Sequence, residues 1–260
     1  MSESPLTSGD REALCRIFSC IDNTTLEGCD TRARVEQLCT RSLQMIDTAR
    51  GIGPVAAVCV YPVFVRQAQQ LLQGSGIRVA SVAGAFPAGQ SPLHVKLAEV
   101  RYALDEGADE IDMVISRGAL IEGDEQRVYD EVAAIRECCQ DRTLKVILET
   151  GELPSPTLIA RASELAIAAG ADFIKTSTGK IAVSATPEAA KTMLDTICRE
   201  HQKSGKWVGF KAAGGISTPE QALVYYRLAT SAFGEKEISS QFFRIGASRL
   251  TERLFSFLTQ

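Results

Sequence analysis

The chain has 260 residues, with 28 Lys and Arg against 32 Asp and Glu and a formal net charge of −4. That balance supplies no basic field for nucleic acid or an anionic membrane surface, so affinity for an anion has to come from a local site. The opening MSESPLTSGDRE has no apolar signal region, no later stretch is apolar for the length of a membrane span, and the eight cysteines lack the spacing of a disulfide framework. The expectation is a cytoplasmic protein with reduced thiols and with no nucleic-acid or membrane partner.

Residues 1–16 read as a leader and 17–260 as one domain. Short β-branched or apolar runs recur at 17–21, 55–61, 77–82, 110–115, 144–148, 173–175, 208–211 and 243–245, each of strand length. The segments between them carry apolar residues at helical spacing, as in Val35, Leu38, Leu43 and Ile46, or Val128, Val132 and Ile135. Ser91-Pro92, Ser155-Pro156, Thr186-Pro187 and Thr218-Pro219 each offer an N-cap hydroxyl followed by proline at the first helical position, where its missing N–H leaves no bond unmade. Gly107 and Gly170 stand where helices are expected to stop. Strand and helix alternate eight times, which predicts a parallel sheet; at this length the economical closure is a single-domain (β/α)8 TIM barrel, with the leader or a short helix at its bottom. The rival is an open doubly wound sheet. Against it, no G-x-G-x-x-G follows the first strand, and polar residues collect at the carboxyl ends of many strands.

DFIKTSTGK, residues 172–180, sets a lysine where a buried strand meets a polar loop. Strand alternation puts Phe173 and Lys175 on one face and Ile174 on the other. In VGFK it groups Gly209 with Lys211, and in EIDMV it turns Glu110, Asp112 and Val114 inward while Ile111 and Met113 face the helices. Neighbouring strands lie about 4.8 Å apart, so the sixth and seventh bring Lys175 and Lys211 side by side. Burial and a neighbouring like charge both lower a lysine pKa. At the reference value of about 10.4, about one lysine in 2,500 is a free amine at pH 7, and a drop of about three units makes that fraction substantial. A free amine attacks an aldehyde or ketone to form an imine, an electron sink for breaking or making the adjacent carbon–carbon bond. Asp112 is placed to move protons, directly or through water. A lone strand-end lysine is more often snorkelling or paired, and Asp112 is in the first place a partner for one of the lysines; the second lysine brings the imine reading level with the structural one. Asp22, in FSCIDNTTL, lies beside the eighth strand once the barrel closes, with helix capping as its alternative.

Three loops suit a phosphate: Thr178-Gly179-Lys180 after the sixth strand, Gly214-Gly215 after the seventh, and Gly246-Ala247-Ser248 after the eighth. Glycines let backbone N–H groups approach an anion, and the loops after strands 7 and 8 form the usual phosphate grip of these barrels. Any one of them alone reads as a turn; the signal is their meeting at one end. Cys59, near the end of the second strand, either lines the pocket or serves as a small buried hydrophobe. His94 and His201 make no ligand spacing with the cysteines, so no metal is expected. Trp207 and Phe210 read as core.

Together, ADFIKTSTGK followed by ATPEA, GFKAAGGIS, EIDMVIS, LKVILETGEL and FRIGAS resemble the deoxyribose-phosphate aldolase family, in that family's order from about Asp22 to Leu250. The resemblance implies a class I aldolase that uses no cofactor and handles a small sugar phosphate and acetaldehyde in deoxyribonucleoside and carbohydrate breakdown. It implies that Lys175 forms the imine, that Lys211 perturbs its pKa, and that Asp112 works with an ordered water. It further implies Asp22 as a polar residue of the site, Cys59 near the substrate, and Gly179, Lys180, Gly214, Gly215, Gly246 and Ser248 around the phosphate, with Thr178 in the same loop. Two departures from the family pattern stand out. Ser217 occupies a position where many relatives carry arginine, with Arg249 as a replacement, and FSFLTQ stands where some relatives continue into a tail ending in tyrosine, so proton exchange is expected to run through water or more slowly. Two other readings remain: another Schiff-base barrel aldolase or transaldolase-like enzyme with a different donor, and a non-catalytic sugar-phosphate sensor. The sequence leaves oligomeric state open, a homodimer included.

Overall fold

In the computed structural model, which describes residues 10–260, eight parallel strands pair in chain order. They are β1 Ile21–Thr24, β2 Ala57–Val60, β3 Arg78–Ala83, β4 Glu110–Val114, β5 Thr143–Ile147, β6 Phe173–Lys175, β7 Gly209–Ala213 and β8 Phe243–Ala247. β8 pairs back onto β1, so the barrel has no free sheet edge. Helix α1 Arg11–Ser19 precedes the first strand. The strands alternate with α2 Arg32–Gln44, α3 Val65–Leu72, α4 Leu93–Asp105, the pair α5 Arg117–Ile121 and α6 Glu125–Cys139, α7 Pro156–Ala168, α8 Pro187–Ser204, α9 Pro219–Phe233 and α10 Leu250–Leu258.

Two local expectations fail for identifiable reasons. The strand expected at 17–21 begins only at Ile21, because Leu14, Ile17 and Phe18 bury one face of α1, and their i, i+3, i+4 spacing carries the helix to Ser19. The leader boundary at 16/17 therefore falls inside α1, which packs against α9 and α10; residues 1–9 lie outside the described residues. Ser91 caps nothing, since Pro92 takes the cap position of α4 with an extended ψ of 148°. The other three start signals work as expected. Ser155, Thr186 and Thr218 each accept from an N–H three residues on, and Thr218 forms a reciprocal capping box with Gln221.

The apolar core is a sleeve between sheet and helices. Strand residues Val58, Val79, Ile111, Met113, Val146, Ile174, Phe210 and Ile245 belong to it together with Val35, Val100, Val132, Leu194, Ala229 and Leu254 from the helices. Inside the barrel a smaller apolar cluster lines one wall, where Ala57, Cys59, Ala80 and Val82 meet Leu26. Other inward positions hold Asp22, Glu110, Asp112, Lys145, Phe173, Lys175, Lys211 and Arg244, all buried. Short side chains on β2 and β3 leave room for the long ones of β5 to β8. All eight cysteines are free, and no helix among the described residues is long and apolar enough to cross a membrane.

Phe173 occupies the space left by its register partner Gly209, where an added Cβ would lie 2.3 Å from the ring. The Arg244 guanidinium sits over the same ring, 5.5 Å from its centroid. Gly209→Val therefore forces a branched side chain into occupied space. It is expected to lower stability by about 3 kcal/mol, read as a lower urea midpoint at unchanged m-value; a midpoint equal to the parent's would contradict the packing described.

Candidate active site

Parallel pairing makes Lys175 and Lys211 register partners on β6 and β7. Asp112 of β4 reaches both from across the barrel. Its Oδ2 accepts from Lys175 Nζ at 2.8 Å and from Lys211 Nζ at 2.7 Å, while its Oδ1 accepts from Lys145 Nζ of β5 at 2.7 Å. Lys145 also pairs with Glu110 Oε2 at 2.5 Å and faces Asp22 Oδ2 at 3.4 Å. Asp22 accepts in addition from Lys211 Nζ and, at 2.6 Å, from Arg244 Nη1. Arg244 Nη2 donates to Glu110 Oε1 at 2.8 Å, and half-exposed Arg78 reaches that same oxygen at 3.1 Å.

Among the described residues, three carboxylates thus face four buried cations, and the shares are unequal. Among the described residues, Lys145 has three carboxylates within 4.0 Å, Lys211 and Arg244 have two each, and Lys175 has only Asp112. A net buried charge is costly, and it is relieved most easily where a proton is least compensated. For Lys175, burial is the largest influence and lowers the pKa; Asp112 opposes it and the Lys211 charge adds to it, leaving the value below that of an ordinary lysine. Burial pulls Lys211 the same way, but Asp112 and Asp22 outweigh it and the pKa is raised. Burial would likewise raise the Asp22 and Asp112 carboxyls, yet the surrounding lysines hold both below the usual carboxylate range.

A cavity of about 260 Å³ opens beside Lys175. The three glycine-bearing loops line it: Thr178, Gly179 and Lys180; Gly214, Gly215, Ile216 and Ser217; and Gly246, Ala247, Ser248 and Arg249. Gly214 has φ 86°, and a Cβ there would lie 2.5 Å from Ser184 Cβ, so a bare backbone is required. Lys180 Nζ pairs with Glu27 Oε1 at 3.0 Å on the same rim, and Arg253 donates to the Ser217 carbonyl at 3.1 Å. The backbone at Gly179, Gly214, Gly215 and Gly246, the side chains of Lys180 and Arg249, and the start of α10 form a lining suited to an anion. Every expected phosphate residue lines this cavity. Asp22 and Cys59 do not: Asp22 is sealed within the charged cluster, and the Cys59 thiol, pushed up to about 11 by burial and by Asp112, is packed against the inner apolar wall.

Some participants escaped the sequence reading. Lys145 in LKVI and Arg244 in FRIG show the pattern that singled out Lys175, a cation flanked by core residues within a strand, and the same rule applied throughout finds both. Glu149 left a fainter trace. It is buried with φ 57° just after β5, and its carboxylate accepts from the Thr178 N–H at 3.2 Å and hydroxyl at 2.5 Å. Nearby, a Cβ on Gly151 would lie 1.9 Å from the Val183 carbonyl oxygen. These two contacts hold the loop after β6 that carries Thr178, Gly179 and Lys180.

The model of the DeoC/LacD family aldolases matches residues 17–236. The deoxyribose-phosphate aldolase of Bos taurus is 44% identical over 250 residues, covering 91% of this chain and 78% of that protein. The Homo sapiens deoxyribose-phosphate aldolase is 42% identical with the same coverage. Among solved structures, the tetrameric deoxyribose phosphate aldolase from Aeropyrum pernix superimposes with a TM-score of 0.73 at 26% identity, covering 97% of this chain and 98% of that one. The chain belongs to the DeoC/LacD family of aldolases. It is an enzyme of the carbon–carbon lyase class.

Lys145→Met withdraws the cation that three buried carboxylates share. At pH 7 it is expected to cost about 3–5 kcal/mol in urea unfolding. The carboxyls titrate below their unfolded values, so their contribution is complete above about pH 4 and fades as pH falls through the lower folded values. The gap between variant and parent should narrow as pH falls below about 4; a constant gap would contradict the shared-cation account.

Proposed function

We propose that this chain reversibly cleaves 2-deoxy-D-ribose 5-phosphate to D-glyceraldehyde 3-phosphate and acetaldehyde through an imine on Lys175. The observation that carries the reading is a buried lysine with, among the described residues, a single carboxylate partner, opening onto a cavity lined by three anion-suited loops. The names of the curated relatives support the same substrate. Lys175 Nζ attacks C1 of the open-chain sugar, and the carbinolamine loses water to an iminium. Asp112, acting with a water molecule, removes the proton of the C3 hydroxyl. The C2–C3 bond breaks, its electron pair moves into the iminium to give an enamine, and glyceraldehyde 3-phosphate departs. Protonation of the enamine carbon and hydrolysis release acetaldehyde and return the amine.

Lys211 acts on Lys175 twice, by its own charge and by holding Asp112. The 5-phosphate rests on Gly179, Lys180, Gly214, Gly215, Gly246 and Ser248, with Arg249 beside Ser217 supplying a guanidinium. Asp22 takes part through Lys211, and Cys59 as a neutral thiol on the inner wall. Eight free thiols accord with a cytoplasmic enzyme of deoxyribonucleoside sugar breakdown.

Borohydride added with acetaldehyde is expected to fix an ethyl group on Lys175, and a coupled assay should follow glyceraldehyde 3-phosphate release from deoxyribose 5-phosphate. An active preparation without the adduct would contradict the imine. Preference for ketone donors over acetaldehyde would point to a transaldolase-like enzyme, and binding without turnover to a sensor.

In Lys211→Leu the remaining Asp112 charge favours protonated Lys175, which raises its pKa. Imine formation near pH 7 should slow about tenfold for each unit of that rise, and the rate profile should move alkaline. An unmoved profile would refute the electrostatic role of Lys211.

A further inference from the structure

Arg244 touches neither Lys175 nor the cavity, yet it is the fourth cation of the cluster and is only 1% exposed. Its Nη1 donates to Asp22 Oδ1 at 2.6 Å and Glu110 Oε2 at 3.2 Å, its Nη2 to Glu110 Oε1 at 2.8 Å, and its Nε to the Ser240 carbonyl. The charged and titratable groups around it are Asp22 of β1 with the adjoining Cys20, Glu110 of β4, Lys145 of β5 and Lys211, its register partner on β7. Phe173 of β6 lies under the guanidinium, and Arg78 of β3 holds Glu110 from the other side. Lys175 in turn faces Asp112, Lys211 and Cys59. A guanidinium does not release its proton, so the surplus charge of the cluster has to leave from a lysine. Arg244 shares Asp22 with Lys211 and Glu110 with Lys145, and both lysines also draw on Asp112, the one carboxylate within 4.0 Å of Lys175 among the described residues.

We infer that Arg244 is a positioning residue that keeps the Lys175 amine free by setting the charge balance of the barrel interior, without contact with substrate. The inference rests on the imine-forming reading of Lys175. Counting charges gives it a sign. Without Arg244, three carboxylates face three lysines, and a protonated Lys175 completes the balance. Without the Glu110 charge, two carboxylates face four cations, and the Lys175 proton is held less tightly still. With both removed, two carboxylates face three lysines and the parent's surplus of one returns.

The test is the rate of borohydride-trapped acetaldehyde adduct at Lys175 as a function of pH in the parent, Arg244→Met, Glu110→Gln, the double variant and Arg244→Lys. Arg244→Met should move the midpoint alkaline by about one pH unit, the size of a unit-charge interaction at an effective dielectric constant of about 20. Glu110→Gln should move it acid by a similar amount, the double variant should return near the parent, and Arg244→Lys should keep the parent's midpoint. If Arg244→Met fails to fold, the opposite shift in Glu110→Gln and its reversal in the double variant decide the matter. A parent that forms no adduct overturns the imine reading itself. A parent that forms it, with variants that share its midpoint at any rate or with single variants that shift in the same direction, overturns the role of Arg244.

Discussion

Four cations and three carboxylates are enclosed in the same barrel, and their shares of one another are unequal. From that inequality follows the division of labour among chemically identical lysines. Among the described residues, Lys145 and Lys211 each have two or more carboxylates, which raise their pKa values, whereas Lys175 has one partner that it shares with both of them. The fold supplies the conditions. Closure buries the interior side chains, parallel register sets Lys175 beside Lys211, and alanines and a cysteine on β2 and β3 leave space for long side chains from the facing wall.

This arrangement changes the weight of the physical causes. Crowding of Lys175 by a second positive side chain, the cause that the sequence brings forward, is third in size. Burial comes first, and the attraction of Asp112 works against it. Lys211 also acts through what it occupies, because the hydrogen bond it donates to Asp112 Oδ2 weakens that carboxylate's hold on Lys175. A buried ion network of this kind is poor as a source of stability, since desolvation offsets most of the Coulombic gain. Its effect is to leave Lys175 as the lysine whose pKa is lowered while that of Lys211 is raised.

Much of this was legible in the sequence because it depends on local periodicity. Strand alternation turned Asp112, Lys175 and Lys211 inward, the hydroxyl-proline pairs at 155, 186 and 218 marked helix starts, and the three glycine-bearing loops fell at one end of the barrel. What was not legible depends on contacts across the barrel or on competition between neighbours. Ile17 looked like strand until the helical spacing with Leu14 and Phe18 found a partner surface on α9 and α10. Lys145 and Arg244 carry the same sequence mark as Lys175, but their carboxylate partners are known only once β5 and β8 face Asp22 and Glu110 through the interior. Glu149 needed a left-handed backbone at a residue other than glycine, which no spacing rule announces.

The barrel thus joins a charged interior to a cavity lined by three glycine-bearing loops, and Lys175 belongs to both. The most direct test is a titration of the lysine side chains by carbon NMR with label at Cε, with the Lys175 signal assigned by its loss in Lys175→Ala. The account predicts that this signal moves below the ordinary lysine value of about 10.4 while Lys145 and Lys211 remain charged through the same range. A Lys175 signal that stays in the ammonium form up to or beyond that value would contradict it.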